Sequence, residues 1–144
     1  MAVRILVVDD HPVVRHGLRT LLGANPEWEI VEEAEDGFEA LDKVARLHPD
    51  VVVLDITMPR MSGLEACRQI RKLAPESEVL MVTQHDSPQM MHEALAAGAR
   101  GYVVKSNAAR DLLAAVEAVS QHKHFTALLN SGAELESGLN QGGK

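Results

Sequence analysis

Four apolar runs in this 144-residue chain stop at residues that can do chemistry: Val7-Val8 at Asp9-Asp10, Val53-Leu54 at Asp55, Met81-Val82 at Thr83, and Val103-Val104 at Lys105. Carboxylates bind hard cations, a lysine ammonium is a compact charge for anionic oxygens, and a threonine hydroxyl both donates and accepts hydrogen bonds. Three aspartates gathered in one dry site cannot all ionise without a cation. Mg²⁺ suits such a set, because it takes one or two carboxylates and keeps several waters.

That chemistry requires elements able to bring the four places together. Ile5–Val8, Ile30-Val31, Val51–Leu54, Val79–Val82 and Tyr102–Val104 read as five strands. The third and fourth are continuously apolar, as strands covered on both faces must be. Helical stripes separate them: Val14, Leu18 and Leu21; Leu41, Val44 and Ala45; Ala66, Ile70 and Leu73; Met91, Ala94 and Leu95; Leu112, Val116 and Val119. Pro12, Ser62 and Asp86-Ser87-Pro88 open helices, Gly23, Pro75 and Gly98 close them, and Asp36-Gly37 turns into the second. The regular alternation predicts an α/β fold, a doubly wound five-stranded parallel sheet of flavodoxin-like (βα)₅ form with strand order 2-1-3-4-5. In that order strands one and three are neighbours, so Asp9, Asp10 and Asp55 meet at the switch point beyond the carboxyl ends of the strands.

Composition narrows the function. The length fits one domain with a single core. The formal charge is −7, from 14 Lys and Arg against 21 Asp and Glu, and no basic helix stands out, so this segment is not expected to hold DNA. No apolar stretch approaches the roughly 20 residues of a membrane span. Met1-Ala2-Val3-Arg4 runs into the first strand with no leader pattern, which makes a cytoplasmic location and no membrane partner the expectation. Cys67, the sole cysteine, falls in a helical stripe and reads as a small core residue. His122-Lys123-His124 reads as a solvated helix end rather than a zinc site.

Val8-Asp9-Asp10-His11, the stretch from Leu54-Asp55-Ile56-Thr57 through Met58-Pro59-Arg60-Met61-Ser62-Gly63, Thr83, and Gly98 through Lys105-Ser106 resemble, in order and spacing, the receiver domains of two-component systems. The resemblance spans about residues 3–125 and is greatest to the NarL/FixJ (LuxR-type) branch, whose members usually carry a C-terminal helix-turn-helix. It implies a receiver domain over 1–125 and a tail or linker over 126–144, of the kind that leads to an output domain absent from this chain. It further implies that Asp55 accepts a phosphoryl group from a sensor histidine kinase, with Mg²⁺ held by Asp9, Asp10, Asp55 and the Thr57 carbonyl. Lys105 would neutralise a phosphoryl oxygen, and Thr83 would hydrogen-bond the new group as Tyr102 turns inward. The chain would then catalyse only its own phosphorylation and dephosphorylation. Its output would be a weak homodimer strengthened by phosphorylation, with DNA reached only through the absent domain.

Some positions depart from the pattern or suggest rivals. Gln84 is longer than the small residue many receivers carry after the switch hydroxyl, and Ser106 replaces a common proline, so no cis peptide is assumed there. Thr57 and His85 stand where family members tune hydrolysis. The acidic pair alone could cap the first helix. A phosphatase-like hydrolase would place a second aspartate at position 57, which is threonine. A nucleotide-binding module would carry a glycine-rich loop in place of Asp9-Asp10-His11-Pro12. A pseudo-receiver acting only through its surface would have no need of the complete acidic set.

Overall fold

The computed structural model describes residues 2–127. Strands and helices alternate as β1 (Val3–Val8), α1 (Pro12–Leu22), β2 (Trp28–Ala34), α2 (Gly37–Leu47), β3 (Val51–Leu54), α3 (Gly63–Leu73), β4 (Glu78–Thr83), α4 (Pro88–Ala96), β5 (Gly101–Val104), α5 (Ala108–Ser120) and β6 (Phe125–Thr126). The sheet is parallel, in the order β2-β1-β3-β4-β5-β6.

The core of the predicted order, 2-1-3-4-5, is present, but the sheet has six strands rather than five. The sixth is only two residues long and begins at the last residue of the 1–125 unit. So short a strand has no sequence period; it exists because Phe125 pairs with Gly101 and Thr126 with Tyr102 across the edge of β5. Of the segment 126–144 read as a tail or linker, residues 128–144 lie outside the described residues.

Because strand side chains alternate, each central strand serves two cores. Val51 and Val53 of β3 join Ile5, Val7, Leu80 and Val82 beneath α1 and α5, whereas Val52 and Leu54 join Leu6, Val8, Met81 and Tyr102 beneath α2, α3 and α4. Burial on both sides is why β3 and β4 read as unbroken apolar runs. Edge strand β2 escaped notice over most of its seven residues because Glu29, Glu32 and Glu33 interrupt it. Its charges and a register shift at Val31 blunt an edge that would otherwise pair with another chain.

The helical stripes need local revision. α2 buries Gly37, Ala40 and Val44 and leaves Ala45 exposed; α3 buries Ala66, Cys67 and Ile70, while Leu73 is 49% exposed. At Leu73 the helix has reached its end, and the buried residue of that turn is Ala74. Cys67 is an inert core thiol: burial pushes its pKa up to about 12. His122 and His124 follow α5 as exposed residues, but His122 turns back to pair with buried Glu78, which also binds Arg71 and Arg100. Burial opposes ionisation of Glu78, yet these three partners outweigh it and hold its carboxyl below the ordinary range.

The β3–α3 connection fixes the strand end that carries Asp55. Gly63 donates its N–H to the Ile56 carbonyl at 2.6 Å, and a Cβ at this position would stand 2.0 Å from the Asp55 carbonyl oxygen. Only glycine allows the helix to start so close to the strand. Gly63→Ala is therefore expected to lower stability by about 1–3 kcal/mol, the cost of overpacking a fitted site, as measured by urea unfolding.

Candidate functional site

The carboxyl ends of β1 and β3 lie side by side, with Asp55 N–H donating to the Val8 carbonyl at 3.1 Å. Asp9 is wholly buried and Asp55 is 3% exposed, while Asp10 stands at the rim. Arg15 of α1 donates to the Asp9 carbonyl at 2.6 Å and pairs with Glu33 of β2, pinning the end of β1. The acidic pair does not act as the cap of α1: the N-cap is His11, which makes no side-chain capping bond. Asp36, by contrast, caps α2 by accepting from Glu39 N–H, a role beyond the turn that its place before Gly37 predicted.

Lys105 enters from the end of β5. Its Nζ lies 2.8 Å from Asp9 Oδ2 and donates to Asp55 Oδ2 at 3.1 Å, so one ammonium joins both buried carboxylates. Burial opposes the charge on Lys105, but hydrogen bonding and attraction from Asp9 and Asp55 prevail and raise its pKa. Asp55 shows the opposite balance. Desolvation outweighs the attraction of Lys105, and Asp9 adds repulsion, so the carboxyl is pushed above the ordinary aspartate range.

Asp55 Oδ1 is buried and has no hydrogen-bond partner. Ligand atoms of Asp9, Asp10, His11 and Asp55 all lie within 4.8 Å of one another. A buried orphan oxygen beside two further carboxylates fits a divalent cation, which would supply the partner that Asp55 Oδ1 lacks. His11 was not among the residues singled out for a role. Its place directly after the acidic pair was the available signal, and its Nδ1 lies 3.0 Å from Asp9 Oδ1 and 3.2 Å from Asp10 Oδ1.

Thr83 and Tyr102 are both fully buried, on adjacent strands. The Thr83 hydroxyl oxygen receives a long 3.5 Å contact from His85 N–H, and Tyr102 already points inward, its hydroxyl donating to the His85 carbonyl at 2.6 Å. The His85 ring reaches back across the site, with Nε2 2.8 Å from the Thr57 hydroxyl. His85 thus joins the strand pair that holds Thr83 and Tyr102 to the loop after Asp55. Gln84 is exposed.

A doubly wound parallel sheet that brings carboxylates from two neighbouring strand ends and a lysine from a third to one place forms a ligand site beyond the carboxyl ends of its strands, with oxygen donors suited to a hard cation. The chain belongs to the response regulator receiver domain family, whose profile matches residues 5–117. It is similar to the DNA-binding transcriptional activator DevR/DosR of Mycobacterium tuberculosis, with 44% identity over 81% of this chain and 54% of that protein. Among solved structures it is similar to a LuxR-family two-component response regulator from Aurantimonas sp. SI85-9A1, at a TM-score of 0.84 and 38% identity, covering 89% of this chain and 91% of that one. The receiver domain of the putative response regulator NarL from Mycobacterium tuberculosis gives 0.80 and 33%, covering 85% and 98%. The chain spans about half the length of the curated relatives it matches. Among the described residues, no helix is long and apolar enough to cross a membrane.

The raised pKa of Asp55 carries a sign for stability. The folded state binds this proton more tightly than the unfolded chain does, so ionised Asp55 destabilises the fold at neutral pH, and the penalty fades as pH falls through the raised pKa. Without divalent ions, Asp55→Asn is expected to unfold at higher temperature than the wild type at pH 7. The gap should narrow on acidification, and thermal melts from pH 7 downward check it.

Proposed function

We propose that the chain receives a phosphoryl group on Asp55 from the phosphohistidine of a sensor histidine kinase in the cytoplasm. The observation that carries this reading is the state of the Asp55 carboxylate, buried beside Asp9 with one oxygen on Lys105 and the other without a partner. A carboxylate oxygen attacks phosphorus, the P–N bond breaks, and its electron pair stays on the donor imidazole, which leaves neutral once protonated. Lys105 holds negative charge on a phosphoryl oxygen, having exchanged part of its pairing with Asp55 for the new group. Asp9, Asp10, Asp55 and the Thr57 carbonyl are the residues that would hold Mg²⁺. When bound, the ion would neutralise phosphoryl charge and relieve the repulsion among the carboxylates.

Thr83 is the switch hydroxyl in this reading, and Tyr102 its follower. Because Tyr102 is already turned inward, the phosphoryl group reinforces an arrangement the fold can reach rather than creating one. The surface affected is that of α4, β5 and α5, and its output is self-association of the chain. Residues 1–125 serve as the receiver unit. A following tail leads to a helix-turn-helix domain that would contact DNA, in keeping with the half-length match to transcriptional regulators.

Two measurements test the reading. Incubation with acetyl phosphate and Mg²⁺ is expected to add one phosphoryl group by intact mass to the wild type and none to Asp55→Asn; an adduct on the variant places the acceptor elsewhere. A charge-assisted hydrogen bond from Thr83 is worth roughly 1.5–3 kcal/mol, so beryllofluoride should strengthen a weak homodimer about ten- to a hundredfold. In sedimentation velocity, Thr83→Ala is expected to bind beryllofluoride yet show no such strengthening.

A further inference from the structure

The imidazole of His11 has no part in the phosphoryl-transfer scheme, yet it stands at the mouth of the acidic cluster. Its Nδ1 is 3.0 Å from Asp9 Oδ1 and 3.2 Å from Asp10 Oδ1, and its side chain is 61% exposed, so nothing in the core dictates the ring's position. A divalent ion with ligands at about 2.1 Å in octahedral array places adjacent ligand atoms about 3 Å apart. The nitrogen therefore sits at the spacing of a neighbouring corner to both carboxylate oxygens, and all four side chains of the cluster offer ligand atoms within 4.8 Å of one another. Asp55 Oδ1, buried, without a partner and belonging to the same cluster, is the independent sign that the group awaits a ligand.

We propose that His11 is a fourth protein ligand of this centre, giving it a preference for divalent ions that accept an imidazole nitrogen, such as Co²⁺, beyond what the carboxylates alone would confer. This rests on the reading of the acidic cluster as a cation site. Mg²⁺ is served by carboxylates and water and gains little from imidazole, whereas later first-row ions gain substantially. The alternative role for His11 is to hold Asp9 and Asp10 by hydrogen bonding. That role would affect every ion alike.

The test is calorimetric titration of the full chain with Mg²⁺ and with Co²⁺, alongside visible absorption of the Co²⁺ form. His11→Ala is expected to weaken Co²⁺ by about tenfold or more and Mg²⁺ far less, with a change in the Co²⁺ absorption band. His11→Asn, which keeps a donor for Asp9 but offers no ring nitrogen, should behave as His11→Ala does. Equal weakening of both ions, or an unaltered Co²⁺ band, overturns ligation by His11 and leaves the cation site standing. If the wild type binds neither ion in a manner that Asp10→Ala abolishes, the cation site fails and the inference fails with it.

Discussion

Two almost wholly buried carboxylates, Asp9 and Asp55, share a single ammonium beside a third carboxylate at the rim, and the rest of the structure holds these charges together. Lys105 reaches both Asp9 and Asp55, but one positive charge cannot offset three negative ones where water is scarce. At Asp55, burial above all, with repulsion from Asp9 added to it, outweighs the attraction of Lys105 and pushes the carboxyl above the ordinary aspartate range.

Keeping like charges close demands a scaffold that will not relax. β1, β3 and β4 are covered on both faces, so separating their ends would open two cores at once. Gly63 lets α3 start against the backbone of Asp55, and Arg15 clamps the end of β1 through the Asp9 carbonyl. At the opposite end of the sheet, Glu78 is buried with three cationic or ionisable partners, so its charge is matched where that of Asp55 is not. Both acids are buried, and only the one at the switch point is left short of partners.

His85 connects this crowded centre to the strands beside it. Its backbone meets Thr83 and Tyr102, and its ring meets Thr57, two residues beyond Asp55. His85 thus touches both the loop after Asp55 and the strand pair β4–β5, and Tyr102 in turn pairs with Thr126 of β6. The linkage is short, running from exposed Thr57 through half-buried His85 to buried Thr83 and Tyr102.

The sequence by itself determined which residues could gather. Polar groups at the ends of Val- and Leu-rich runs must lie where an open parallel sheet binds ligands, and the Ser62 helix start and the Asp36-Gly37 turn followed from local chemistry. Edge strand β2 was only partly legible, because an edge is allowed charges that a central strand is not, and β6 not at all, because two residues carry no period. The approach of His11 to the acidic pair, the burial of Glu78 among Arg71, Arg100 and His122, and the inward seat of Tyr102 were decided by tertiary structure alone. Propensity and periodicity report what a residue does within its own element. Ion pairs and burial across elements depend on distances that exist only once the sheet has closed upon its helices.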